Sequence, residues 1–165
     1  MKIIFKRAKP KDTIQWHQSF NNILSSKGAP YINRINLVSK KETNARAKAV
    51  AKGESISFIA KTDGKVIAST GGKVSKGRTA HVIELGWFAD ISYRNKGVMS
   101  KLLKHALKEF KKLGFKRAEC EIVPLNKASI RIAEKAGFKR EGIKKKAFRL
   151  DSGKYVDLYV YGRLL

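Results

Sequence analysis

Cysteine is almost absent from this 165-residue chain: Cys120 stands alone, so no internal disulfide can form and a disulfide framework is excluded. Proline occurs only three times, and no internal repeat or low-complexity linker is visible. No apolar run approaches the roughly 20 residues that span a bilayer, and residues 1–7 hold too short an apolar stretch for a secretory signal. A cytoplasmic protein without membrane attachment is the expectation. His17, His81 and His105 show no metal-ligand spacing with one another or with Cys120, so no metal is expected. Acidic residues are the other shortage. Thirteen Asp and Glu against 37 Lys and Arg leave a formal charge of +24. A field of that sign attracts phosphates, RNA and acidic surfaces and repels polycations. A ribosome, RNA or acidic partner is one reading of it, and a solvated lysine-rich surface is the other.

What is present belongs to a globular protein. Apolar residues make up 42% and aromatics 9%, enough for one core, and the length suits a single domain over 1–165. Residues 2–8 read as a strand and 12–26 as a helix, with Asp12 as its cap and its stop before Gly28 and Pro30. A second helical stretch covers 40–50 and is closed by Gly53. Residues 55–60 and 66–74 are strands joined by a hairpin turn at Thr62-Asp63-Gly64-Lys65. Gly77 marks the next turn, and 80–90 reads as one long strand.

The second half is more sharply patterned. Met99, Leu102, Leu103, Ala106, Leu107, Phe110 and Leu113 recur at helical spacing, with Lys101, Lys104, Lys108 and Lys112 mostly on the other face and His105 on the polar side. Gly114 stops that helix. A strand over 115–123 and a short helix over 126–136 ending at Gly137 follow. Strands over 138–147 and 154–165, joined by a turn at Asp151-Ser152-Gly153, complete the chain. Hairpins bracket the interleaved strands and helices. The expected class is therefore α/β in the α+β sense: a central mixed, mostly antiparallel twisted sheet of about seven strands flanked by about four helices.

The segment Glu84-Leu85-Gly86-Trp87-Phe88-Ala89-Asp90-Ile91-Ser92-Tyr93-Arg94-Asn95-Lys96-Gly97-Val98-Met99-Ser100 runs from a strand through a basic, glycine-containing turn into an amphipathic helix. The first amides of such a helix have no intrahelical acceptor, and the helix dipole adds partial positive charge there. Gly97 permits close backbone approach, and Arg94 and Lys96 add full charges, so the turn suits a diphosphate. Plain turn chemistry remains the alternative. Two look-alikes fail. Gly72-Lys73-Val74-Ser75-Lys76-Gly77-Arg78-Thr79 nearly spells a P-loop but leads into a strand. Leu113-Gly114-Phe115-Lys116-Arg117 lacks the further aromatics an RNA-recognition strand needs for base stacking.

Arg94-Asn95-Lys96-Gly97-Val98-Met99 resembles the Arg/Gln-x-x-Gly-x-Gly/Ala signature of the GNAT superfamily of N-acetyltransferases. The stretch from Glu121 through Asn126 and Ser129 to Lys135-Ala136-Gly137-Phe138 is similar to that superfamily's second cofactor motif in its Rim-type branch, which includes ribosomal-protein N-terminal acetyltransferases. Gly153-Lys154-Tyr155-Val156-Asp157 also resembles that branch. The similarity covers 80–165 and is compatible in pattern over 1–79. Met99 departs from it, standing where Gly or Ala is usual. Its side chain either narrows the approach to the diphosphate or turns into the helix–sheet core.

The resemblance implies the GNAT fold and acetyl transfer from acetyl-CoA, as co-substrate, to a primary amine through a ternary complex. It implies a strand end at Trp87, Phe88 and Ala89 that holds the pantetheine arm. It also implies a diphosphate loop of Arg94, Asn95, Lys96, Gly97, Val98, Met99 and Ser100. Asn126 is implied as a pantetheine contact, and a simple helix cap is the bland reading of the same residue. Glu121 matches a catalytic glutamate of related N-terminal acetyltransferases, with Glu84 as its rival. Either can equally be an ordinary strand carboxylate paired with Lys or Arg. The tyrosine that serves much of the superfamily as proton donor is replaced by Ala133. Ser129 is the Rim-branch candidate for that role, or a helix-start serine bonded to backbone. Tyr155, Tyr159 and Tyr161 are the fallbacks. Cys120, without a histidine partner, implies no covalent intermediate.

A lysine-like amine has a pKa of about 10.4 and an α-amine roughly 7.7–8.0. Near pH 7.5, neutralising the first costs about 4 kcal/mol and the second well under 1 kcal/mol, so an enzyme for α-amines needs only a mild base. The acceptor expected is a protein N-terminal or related amine. The alternatives are a small-molecule amine (amino sugar, antibiotic, amino acid or polyamine) and a basic RNA-associated module that has lost catalysis. Residues 11–53, with Trp16, Phe20 and Tyr31, are the stretch that lines the acceptor groove in this family. A monomer or homodimer is expected.

Overall fold

A computed structural model describes residues 2–26, 30–34 and 36–165. The first sheet is antiparallel throughout, in the order β1-β2-β3-β5: β1 (Ile4–Arg7), β2 (Ser55–Thr62), β3 (Lys65–Lys73) and β5 (Gly86–Ala89). The second, in the order β4-β6-β8-β7, contains β4 (Val82–Glu84), β6 (Arg117–Ile122), β8 (Tyr155–Leu164) and β7 (Lys139–Arg149), with β4 and β6 parallel. The helices are α1 (Thr13–Leu24), α2 (Lys40–Ala51), α3 (Val98–Lys112) and α4 (Lys127–Lys135). Asp63 and Gly64, at φ 48° and 75°, are the left-handed pair that a two-residue hairpin turn requires.

The expected single sheet is thus two four-stranded sheets, and the expected strand over 80–90 is kinked into β4 and β5 at Leu85. Its register on β3 runs unbroken across the kink, with Gly71 opposite Gly86 and Val74 opposite Ile83. On its other side the strand pairs with β6 only as far as Leu85, whose N–H donates to the Glu119 carbonyl at 2.7 Å. Beyond that point β5 leaves β6 and a wedge opens between them. Glycine permits the close approach on β3: a Cβ on Gly72 would lie 1.9 Å from the Glu84 carbonyl oxygen. Counted as one kinked strand, β4 and β5 restore the expected seven.

The core lies between the sheets and α3. Val98, Met99, Leu102, Leu103, Ala106, Leu107 and Phe110 are all buried, each large side chain contributing roughly 1.5–3 kcal/mol on burial. Phe58, Phe110 and Phe115 meet edge to face at 5.1 and 5.6 Å, the favoured aromatic geometry. His105 is half-buried against Phe5 and Phe58 rather than on an open polar face, because β1 and β2 reach that side of α3.

α1 and α2 pack on the first sheet from the side opposite α3. Asp12 does not cap α1 as expected. It is 3% exposed, it accepts from Lys6, Lys61 and the Lys9 N–H, and its side chain makes no bond to the α1 start. The preceding 3-10 turn, Pro10–Asp12, uses the carboxylate instead. α2 is capped reciprocally by Ser39 and Glu42, a capping box. Gly28, the expected stop of the first helix, lies outside the described residues.

Candidate active site

The wedge between β5 and β6 is where the chemistry-bearing residues of the second half converge. β5 supplies one wall. Because the Asp90 N–H donates to the Ile67 carbonyl at 2.8 Å, antiparallel alternation commits the backbone of Phe88 to β3 and turns that of Trp87 and Ala89 to the other edge. The Ala89 carbonyl accepts from Arg94 Nε at 3.3 Å. A strand edge with outward backbone donors and acceptors therefore lines the wedge.

The loop that follows ends in a helix start with exposed donors. Asp90 accepts from the Ser92 N–H at 2.9 Å and shapes the turn. Asn95 and Gly97 have φ of 58° and 70°, and Gly97 is the N-cap of α3. A Cβ on Gly97 would meet nothing within 4 Å, so glycine is required there for its left-handed backbone and not for space. The first α3 bond runs from the Lys101 N–H to the Gly97 carbonyl at 3.1 Å. No side chain caps the helix, which leaves the amides of Val98, Met99 and Ser100 to an outside acceptor. Arg94 and Lys96 flank them, the Lys96 ammonium lying 5.5 Å from the Tyr93 ring centre. Met99 is 6% exposed and packed in the core, so of the two orientations open to it the structure takes the one that leaves the approach clear.

The opposite wall is the start of α4. Asn126 Oδ1 accepts from the Ser129 N–H at 3.1 Å, the N-cap bond expected of a helix-start asparagine. Ser129 Oγ accepts from the Trp87 indole N–H at 3.3 Å. Trp87, Asn126 and Ser129 are thereby joined across the mouth of the wedge, and the Ser129 hydroxyl keeps its own proton to donate. Ala133 is fully buried, so the position of the usual tyrosine belongs to the core in this chain. The Tyr161 hydroxyl donates to Glu134 at 3.3 Å, the Tyr159 ring carries Arg140 at 4.6 Å, and Tyr155 is 60% exposed.

The carboxylates lie on the other face. Ala118, Cys120 and Ile122 turn inward with α3, so Glu119 and Glu121 point the opposite way, and Glu84, beside buried Ile83, joins them. The Lys144 ammonium of β7 hydrogen-bonds Glu121, and that contact raises the lysine's pKa. Lys144 sits between two register shifts in the β7–β8 pairing, so no periodicity in the sequence announces it. Burial pushes the Cys120 thiol up to about 12, which keeps it protonated and inert as a nucleophile. Among the described residues no group of three His, Cys, Asp or Glu is placed to hold a metal ion. No described helix is long and apolar enough to cross a membrane.

On the first sheet, Trp16 and Phe20, named from the sequence, join Phe88 and Arg46 in a cluster that sequence reasoning missed. Trp16 and Phe20 of α1 stack at 4.9 Å, and both meet Phe88, at 5.9 and 5.1 Å. Arg46 of α2 lies 4.0 Å above the Trp16 ring. Arginine in a lysine-rich helix carries no signal of its own in a single sequence.

The family model described as the acetyltransferase (GNAT) family matches residues 18–138. An N-acetyltransferase of Schizosaccharomyces pombe, aca1, is 37% identical over 87 residues, covering 52% of this chain and 42% of the relative. The L-amino acid N-acetyltransferase AaaT of Escherichia coli is 33% identical over 88 residues, covering 53% and 54%. The chain spans about two-fifths to one-half of the length of the curated relatives it matches. Among solved structures, a GNAT-family acetyltransferase from Streptococcus pneumoniae superimposes with a TM-score of 0.88 at 22% identity, covering 99% of this chain and all of that one. A ribosomal-protein-alanine N-acetyltransferase from Brucella melitensis does so with 0.85 at 19%, covering 98% and 99%. At those identities the superpositions show a shared fold.

Proposed function

The chain belongs to the acetyltransferase (GNAT) family, and from that membership we propose that it moves the acetyl group of acetyl-CoA onto a primary amine, the α-amine of a protein N-terminus. The observation that carries this reading is the wedge: a strand edge with outward backbone groups leads straight to the uncapped amides of Val98, Met99 and Ser100. The residues fit the cofactor. Three helix-start amides, a left-handed glycine and two flanking cations answer a diphosphate, and Met99 points away into the core.

Acetyl-CoA supplies the activated acyl carbon. The rest falls to this chain. Backbone at Trp87 and Ala89 holds the pantetheine arm, with Asn126 on the far side, while the loop 94–100 anchors the diphosphate. The residues left to serve the transfer itself are Ser129 at the mouth of the wedge and the carboxylates Glu84, Glu119 and Glu121 on the face away from α3. Glu121 takes a proton from the attacking amine. As the C–N bond forms and the C–S bond breaks, Ser129 gives its hydroxyl proton to the departing sulfur, oriented by the Trp87 indole N–H that its oxygen accepts; the proton held by Glu121 then returns to Ser129 through solvent, which resets both groups. A carboxylate base suffices for an α-amine, of which about half or more is already neutral near pH 8.

The Rim-like motif of residues 121–138 and the likeness of fold to a ribosomal-protein acetyltransferase support a protein N-terminus as acceptor. The +24 charge supports encounter near ribosomal RNA. A small-molecule amine is the second reading, favoured by the E. coli relative, whose own name specifies amino acids. The non-catalytic RNA module is not favoured by Met99, whose side chain is buried in the core and does not fill the approach to the loop.

The test is turnover of acetyl-CoA against N-terminal peptides, free amino acids, amino sugars and spermidine, alongside calorimetry of acetyl-CoA binding. Acetylation of peptides with cofactor affinity supports the reading. Turnover confined to spermidine removes the N-terminal acceptor, and RNA binding without cofactor affinity removes the enzyme.

A further inference from the structure

Arg46 is a cation without an acid. None of the ion pairs among the described residues includes it; those pairs join carboxylates to Lys6, Arg34, Lys61, Lys112, Arg117, Lys144 and Lys145. Its guanidinium carries five N–H donors and among the described residues makes one hydrogen bond, a long one of 3.4 Å from Nη2 to Ser57 Oγ. It is laid over the Trp16 ring at 4.0 Å. An indole face meets part of the cost of removing a guanidinium from water, but it offers nothing to the remaining in-plane donors. Burial alone lowers this side chain's pKa, to about 10, so at neutral pH the group stays fully charged. A half-buried planar fork held on an indole, with open donors, is the arrangement that recognises a carboxylate side-on.

Its position relative to the wedge fixes what that carboxylate belongs to. Ser57, Gly71 and Gly86 are register partners on β2, β3 and β5. The row Ile59–Ser69–Phe88 faces α1, where Phe88 meets Trp16 and Phe20. Arg46 therefore stands on the side of the first sheet away from α3, the side to which the proposed base Glu121 also points. Two strand spacings separate it from β5, about 10 Å. An extended peptide covers that distance in about three residues, at ~3.5 Å each. The α-carboxylate of a free amino acid, one carbon from its amine, does not reach. The half-buried rings of Trp16 and Phe20, packed on buried Phe88, lie between and suit the body of the acceptor.

We infer that Arg46 is a specificity-determining residue that holds an acidic side chain at the second to fourth position of the acceptor peptide, so that this chain selects acidic N-termini. The inference rests on the acetyltransferase reading with a peptide acceptor. It assigns the protein's preference to one guanidinium and leaves the diffuse +24 charge to long-range attraction.

The experiment compares eight-residue peptides that differ only by Glu or Gln at positions 2, 3 or 4, together with a free amino acid and its amide. Two readouts are used: kcat/KM with acetyl-CoA, and peptide affinity by calorimetry in the presence of CoA. The native protein is expected to favour at least one Glu peptide about tenfold over its Gln partner. In Arg46→Gln and in Arg46→Met, which keeps an apolar stem on Trp16, that ratio falls to near one, with the change in KM and affinity rather than kcat. Thermal midpoints of the two variants identify any loss of fold, which would lower Glu and Gln peptides together. Equal handling of Glu and Gln peptides by the native protein overturns the inference. So does a preference that survives in both variants, or one that depends on Arg46 for the free amino acid over its amide. A protein that binds Glu peptides through Arg46 yet acetylates nothing would overturn the acetyltransferase reading and leave the role of Arg46 standing.

Discussion

The two sides of the wedge are built by different means. On the α3 side, the groups offered to a ligand are backbone: the edge of β5 and the amides of residues 98–100, positioned by a left-handed Gly97. On the α1 and α2 side, the groups offered are side chains brought from far apart in the chain: Trp16, Phe20, Arg46, Glu121 and Lys144. A backbone site is specified by spacing and tolerates many side chains around it. A side-chain site depends on each residue separately and is free to change with the acceptor. The first suits a cofactor common to a family, and the second suits a substrate that differs between its members.

The most damaging way to break this contrast is to alter the backbone side. Gly97→Glu forces a non-glycine residue into the left-handed region, at roughly 1–2 kcal/mol, and sets a carboxylate against the diphosphate. Acetyl-CoA affinity is expected to fall at least about 100-fold, some 2.7 kcal/mol, as read by calorimetry, with folding retained. Next, Ser129→Ala is expected to lower kcat by about 100-fold, the lower range for loss of a general acid, without changing the KM for acetyl-CoA. Trp87→Phe, which keeps a ring and removes the N–H, is expected to cost about tenfold alone and nothing further in the Ser129→Ala protein. Additive effects in that cycle would show that the indole acts independently of the hydroxyl.

Smaller effects concern the scaffold that carries the side-chain half. Burial pushes the Asp12 carboxyl up, but the bonds from Lys6, the Lys9 N–H and Lys61 outweigh it and hold the group below its usual 3.8. A depressed carboxyl contributes stability that is present above the unfolded value and is lost as pH falls through the folded one. Asp12→Asn is therefore expected to destabilise the protein by about 1.5–3 kcal/mol at neutral pH. The difference between variant and native should shrink below about pH 3.8, as followed by urea unfolding. The smallest effect is expected at Lys144, 56% exposed beside Glu121. Lys144→Gln should change stability by under ~1 kcal/mol, as exposed ion pairs do. A larger loss in urea unfolding would mark Glu121 as a structural partner and not a base.

The same contrast explains what could be read from the sequence. The α3 face from Val98 to Phe110, Gly97, the Asn126 cap and the hairpin at Asp63-Gly64 are local: each follows from residues within one or two turns, whereas Leu113, expected on that face, is 45% exposed beyond the helix end and His105, expected on the polar side, is half-buried. The kink at Leu85 was hidden because the strand stays in register with β3 and breaks with β6 alone, and pairing partners lie beyond any local window. Asp12 was assigned to the helix it precedes because a cap is the local use of aspartate, whereas Lys61 reaches it from 49 positions away. Met99 was open between two orientations until the packing of α3 placed it. Arg46 over Trp16 and Lys144 on Glu121 join separate elements at separations that no periodicity encodes.

The central claim is that backbone amides at the start of α3, beside the free edge of β5, hold the diphosphate of coenzyme A. Titrating CoA into 15N-labelled protein and following every amide tests it directly. The account predicts saturable shifts that are largest at Gly97, Val98, Met99 and Ser100, with Trp87, Ala89 and the Trp87 indole N–H moving at the same midpoint. Saturation with those amides unmoved, or with the largest shifts on the lysine face of α3 or along β7, would contradict it.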